Sequence, residues 1–271
     1  MKKIILLLSA VLLITSASHA QKRETREVST FTKISFRTAG KIYVKQGSPQ
    51  KVEIEGSAEV LEKIKTKVEG GKLSVGPEDK WTNWSWGSDD KVTVYITVAS
   101  IETLSVSGSG ELIAQTKITS SGNINLNVSG SGSLTAEIEA ADVDSDVSGS
   151  GEIKLKGKFK SVSADVSGSG RVSVNGTISG KADFEISGSG KVEASGSAES
   201  MSADISGSGK VLGADLVTNT AKIDITGSGD VEITVNKELD ADISGSGTVL
   251  YKGNPAHVNG NASGSGSVKK M

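Results

Sequence analysis

Six carboxylates recur at a near-constant spacing: Asp146, Asp165, Glu185, Asp204, Asp224 and Asp242, with Ser105, Asn127 and Asn261 in the same phase at the ends. Carboxylates in line suit cation binding, or, in pairs, acid–base attack on a glycosidic bond. Asp165, Glu185, Asp204 and Asp224 are the candidate metal-ligating set. Calcium takes about six to eight oxygens, so one carboxylate per repeat is a sparse cage. A solvated acidic face is the plainer reading. Glycoside hydrolysis wants two carboxylates in unlike environments, and a regular line makes them alike.

Other chemistry is thin. A serine recurs nine times in one motif, from Ser109 and Ser131 to Ser265, but the only histidines are His19 and His257. Nine equivalent hydroxyls without a base do not make a nucleophile. Cysteine is absent, which excludes disulfides and thiolate metal sites. No catalytic residues and no cofactor are expected. Trp81, Trp84 and Trp86, all three tryptophans, lie between Gly76-Pro77 and Gly87-Ser88. The flanking turn residues predict a protruding loop. It is either a satellite cluster or a ligand-binding patch for a sugar or protein.

The elements that must position these residues follow from a repeat. Ser/Thr-Gly-Ser-Gly occurs nine times, with first glycines at Gly108, Gly130, Gly149, Gly168, Gly188, Gly207, Gly227, Gly245 and Gly264. These motifs hold 18 of the 33 glycines. A β-branched residue precedes the first eight motifs, from Val106 to Ile243, and Leu112 to Val268 follow at the matching position. Alternation of this kind is strand periodicity, and a glycine step between two runs is a corner. Strand, corner, strand and second bend, at about 19–20 residues per turn, predict an all-β, single-stranded parallel β-helix. The crossover rule makes it right-handed. A propeller blade needs longer units, and Gly/Ser linkers lack phased Val and Ile.

Residues 1–20 read as a signal peptide: Lys2-Lys3, an apolar run from Ile4 to Ile14, and Ser18-His19-Ala20 before Gln21. Residues 21–100 read as an N-terminal β-rich segment that starts and caps the solenoid, and 101–271 as nine coils. Within the cap, Ser57 to Val68 predicts a short helix ended by Gly70-Gly71. No later segment is apolar enough to span a membrane. A net charge of −2 offers nothing to nucleic acid.

The order of several further segments carries a resemblance. These are Val28-x-x-Phe31-x-x-Ile34, Gly40-Lys41-Ile42-Tyr43-Val44-x-Gln46-Gly47 and Val52-Glu53-Ile54-Glu55-Gly56, then Gly70-Gly71-Lys72-Leu73 and Leu104-Ser105-Val106-Ser107-Gly108-Ser109-Gly110. Together the chain resembles the auto-transporter adhesin head GIN domain family. The resemblance implies a β-helical, exported protein of Bacteroidota type, in the periplasm, at the outer-membrane surface or outside the cell. It implies adhesion and supplies no catalytic residues. The expectation is therefore a non-enzymatic module for a glycan or protein partner. A carbohydrate-active β-helix enzyme and a purely structural envelope protein are the alternatives.

Overall fold

In the computed structural model, which describes residues 21–77 and 92–271, the nine glycine corners stack as nine successive coils of a parallel β-solenoid. Residues 1–20 and the tryptophans Trp81, Trp84 and Trp86 lie outside the described residues.

The N-terminal part comprises β1 (Lys22–Thr25), β2 (Lys33–Phe36), β3 (Lys41–Gln46), β4 (Lys51–Gly56), helix α1 (Ala58–Lys63), β5 (Ile64–Glu69), β6 (Lys72–Pro77) and β7 (Thr93–Val98). The coils then run through β8 (Thr103–Gly108), β9 (Glu111–Ala114), β10 (Ile118–Thr119) and β11 (Asn123–Gly130). Long strands follow: β12 (Ser133–Gly149), β13 (Glu152–Gly168), β14 (Arg171–Gly188), β15 (Lys191–Gly207), β16 (Lys210–Gly227) and β17 (Asp230–Gly245). The chain ends in β18 (Thr248–Lys252), β19 (His257–Gly264) and β20 (Ser267–Lys270).

The two glycines of each corner do different work. The first has φ between +97° and +131°, which a side chain disfavours. This conformation turns the next serine N–H onto the preceding coil, as in Ser150 N–H to the Gly130 carbonyl at 2.9 Å. The second faces inward: a Cβ on Gly151 would lie 2.4 Å from Val128 Cγ1 one coil below. The second bend does not interrupt the ladder, so β12 to β17 each run through it. Coil lengths differ slightly, and register shifts such as that between Gly213 and Val217 absorb the difference.

Inside, the predicted positions form closed columns. Val128, Val147, Val166, Ile186 and Ile205 are buried before the corner, and Leu134, Ile153, Val172 and Val192 after it. Ser145 interrupts one column and is 1% exposed, with its hydroxyl unpaired.

Two more coils, without the motif, extend the stack, and their order is not the chain order. β8 pairs with β2 and β9 with β3, while β2 also pairs with β6 and β3 with β7. The β2–β3 coil thus sits between β6–β7 and β8–β9, although the chain runs from β7 straight into β8. Beyond β6–β7 the pairing turns antiparallel: β5 lies on β6, β4 on β7 and β1 on β4.

The helix is shorter than its apolar spacing suggests. Ser57 does cap it, accepting from Val60 N–H at 3.3 Å, but it ends at Lys63. Ile64, Thr66 and Val68 instead alternate along β5. Gly70 and Gly71, both at positive φ, close a hairpin onto β6 rather than ending a helix.

Candidate functional site

The carboxylate column forms as its period predicts. Asn127, Asp146, Asp165, Glu185, Asp204, Asp224, Asp242 and Asn261 are consecutive register partners on the outer face before the corner. Parallel pairing spaces them at about 4.8 Å. A serine column, Ser129, Ser148, Ser167 and Ser187, runs beside it, and the two bound a shallow groove of about 320 Å³ floored by Val128, Val147 and Val166. The groove recurs further along between Asp224, Asp242 and Asn261 on one side and Thr226 and Ser244 on the other.

Like charges this close must be relieved, and the relief is local. Lys222 reaches Asp224 at 3.3 Å, and the Asn261 amide donates to Asp242 at 3.0 Å. In the middle a proton gives relief only below about pH 6. Crowding of water from the Asp165 carboxyl by the adjacent coils, then the charges of Asp146 and Glu185, push its pKa up to about 6. The pKa of Asp146 is also raised, chiefly by burial and then by the charge of Asp144. Basic residues beyond the corner do not help. Arg171 faces Glu152 and Glu193 at 3.9 and 3.6 Å, and Lys210 takes Asp230 at 2.6 Å.

The candidate metal set Asp165, Glu185, Asp204 and Asp224 is therefore one line along one face. Among the described residues no group of three or more His, Asp or Glu converges to hold a metal ion. The nine motif serines are exposed, and their ladder runs through backbone N–H groups rather than hydroxyls. His257 begins β19, exposed and in register with Glu238.

The raised pKa has a measurable consequence. A carboxyl whose folded pKa exceeds its unfolded value of about 3.8 favours the fold when protonated. Its contribution is present at low pH and lost as pH rises through about 6. Asp165→Asn should therefore stabilise the protein at pH 7.5 by about 1 kcal/mol, discounted for the solvent screening an exposed carboxyl. The gain should vanish at pH 4. Melting curves of both proteins at the two pH values check this.

Sequence reasoning missed a second outer surface. After the corner, a larger groove of about 680 Å³ crosses six coils from Ala114 to Asp215. One wall carries Glu137, Lys156, Asn175, Ser195 and Asp215, successive register partners. Period alone marked these positions as outward, but five different residue types gave no repeated chemistry to notice.

A filled solenoid with continuous outer columns defines a class: a repeat scaffold whose side-chain rows are its working surface. The chain belongs to the family described as "Putative auto-transporter adhesin, head GIN domain", whose profile matches residues 30–194 and again 179–255. Several solved structures share the fold, three of them as follows. A "putative lipid binding protein" from Parabacteroides distasonis is 23% identical, with TM-score 0.72, and the match covers 94% of this chain and 98% of that one. A "putative adhesin" from the same species is 17% identical, with TM-score 0.71 and the same coverage. Another "putative adhesin", from Parabacteroides merdae, is 18% identical, with TM-score 0.67, covering 94% of this chain and 97% of that one. Among curated proteins none matches significantly.

Proposed function

We propose that this exported chain is a non-enzymatic, adhesin-like module that holds a glycan or protein partner at the cell envelope or outside the cell. The observation that carries the reading is the outer face itself: rigid columns of carboxylate, hydroxyl and amide groups repeated coil after coil. Membership of an adhesin-named family supports it. No described helix is long and apolar enough to cross a membrane.

The enzyme alternative fares worse on geometry. Retaining glycosidases hold their carboxyls about 5–5.5 Å apart, and inverting ones further. Asp146 and Asp165 are instead register partners about 4.8 Å apart in one regular row, and burial raises the pKa of both, so the row offers no acid and base in unlike environments. Lipid binding, as one relative's name has it, would want an apolar cavity. The interior columns here are filled, with Leu134, Ile153 and Val172 at 0% exposure.

On sequence grounds Trp81, Trp84 and Trp86 are the proposed anchor of the contact, since aromatic side chains dominate recognition sites. The test is retention of labelled protein on glycan and matrix-protein arrays, with Trp84→Ala alongside. Binding by wild type and at least about tenfold weaker binding by the variant are expected. Unchanged binding removes the tryptophans from the contact, and turnover of any arrayed polysaccharide overturns the non-enzymatic reading.

A further inference from the structure

The geometry points to the larger groove as a binding site for an extended, uncharged oligosaccharide laid along the solenoid axis. This rests on the adhesin-like reading and names a site and a ligand class for it.

The groove is long and straight. Its six coils span roughly 24 Å, five spacings of about 4.8 Å. The floor is the strand row Ala136, Leu155, Val174 and Ala194, whose side chains point into the core, so the trough between the outer rows is shallow and backbone-lined. One wall is Thr135, Lys154, Ser173, Glu193 and Leu212. The other is Glu137, Lys156, Asn175, Ser195 and Asp215.

Several outer side chains satisfy one another across neighbouring coils: Asn123 with Asp144 at 2.7 Å, Lys117 with Glu139 at 2.7 Å, Asn259 with Asp240 at 2.8 Å. The side chains of Glu137, Lys156, Asn175, Ser195 and Asp215, by contrast, make no hydrogen bond or ion pair with any described residue. Five consecutive coils therefore offer a mixed row of side-chain donors and acceptors on one side of a trough.

That pattern selects a ligand. Charges of both signs mix along both walls, with Lys156 next to Glu137 and Lys154 two coils from Glu193, so there is no single-sign field for a polyion. Leu212 is the one large apolar side chain facing outward in the groove, too little for an apolar ligand. An extended peptide binds by adding a strand at a sheet edge. Here the groove lies on a sheet face, and the inter-coil ladder already uses the backbone groups. A chain of hydroxyls presents donors and acceptors at every ring and needs only side-chain partners. With no aromatic ring in the trough each sugar binds weakly, so affinity must grow with chain length.

The test is an amide chemical-shift titration of the full chain with cellohexaose and mannohexaose. Cellobiose and polygalacturonate serve as short and anionic controls. At least one neutral hexasaccharide should shift the amides of residues 135–137, 154–156, 173–175 and 193–195, and the disaccharide should not. Ser173→Trp, which fills the trough from an outward position, should raise Kd at least about tenfold. Ser167→Trp, in the other groove, should leave it unchanged. Paired Lys156→Ala and Asn175→Ala substitutions, which remove atoms only, repeat the test should the tryptophan disturb folding. Absence of shifts with both hexasaccharides, equal binding of polygalacturonate, or full binding by the groove variants overturns the assignment. If array retention persists while the hexasaccharides fail, only this site falls. If retention fails on every surface while they bind, the site stands without the adhesive role.

Discussion

Gly157→Ala should cost about 4 kcal/mol and lower the melting temperature by on the order of 10 °C, the largest effect expected of any single methyl in this chain. Gly157 has φ +151°, and a Cβ there would lie 1.7 Å from the Ile138 carbonyl oxygen and 2.8 Å from its carbon. No rotamer relieves this, because the backbone alone fixes the direction of Cβ. Ile138 and Gly157 are register partners at the second bend, so separating them breaks the ladder between β12 and β13. Gly176 repeats the constraint one coil on, 2.1 Å from the Gly157 oxygen. Gly108→Ala is the control. It shares the positive φ, at +97°, but a Cβ there meets nothing within 4 Å. Only backbone strain remains, about 1 kcal/mol. Denaturant titration of both variants separates the two costs. Equal losses would show that conformation, not inter-coil contact, sets the demand for glycine.

That contrast also shows what the sequence could and could not disclose. The Gly-Ser-Gly corners, the inward Val and Ile columns and the carboxylate line are all period signals, and a period survives in one dimension. Hence the solenoid and the alignment of Asp146 through Asp242 were legible. The separate duties of Gly149 and Gly151 were not, because one reflects a positive φ and a close approach to the Gly130 oxygen, and the other a contact with Val128 a full coil away. The stretch from Ile64 to Val68 carries apolar residues that serve either a helix face or an alternating strand. Gly70-Gly71 decided for the strand, through a turn that only pairing with β6 rewards. Arg171 lies close in sequence to the carboxylate line, yet it faces Glu152 and Glu193 of its own outer face. Least legible was the order of the first coils, since β2 carries the same alternation wherever it is inserted.

Phe36→Ala should cost about 3–5 kcal/mol, and the pattern of the loss matters more than its size. Phe36 is fully buried on β2, in register with Val75 of β6 on one side and Val106 of β8 on the other. Its ring also fills the space beneath Gly110, where a Cβ would meet it at 2.5 Å. The β2–β3 coil is the only paired link between β6–β7 and the rest of the solenoid among the described residues. A stack of coils is held by nearest-neighbour contacts, so weakening one coil uncouples everything beyond it. Hydrogen exchange should therefore accelerate together in β2, β3, β6 and β7 and in the antiparallel strands β4 and β5, while β14 to β17 keep their protection. Phe184→Ala, equally buried but in mid-stack on β14, should instead centre its loss on β13 to β15. Faster exchange confined to β2 and β3, with β6 and β7 still protected, would mean that the end of the solenoid holds itself together. The inserted coil would then be an addition to the stack rather than the joint that binds its end to its body.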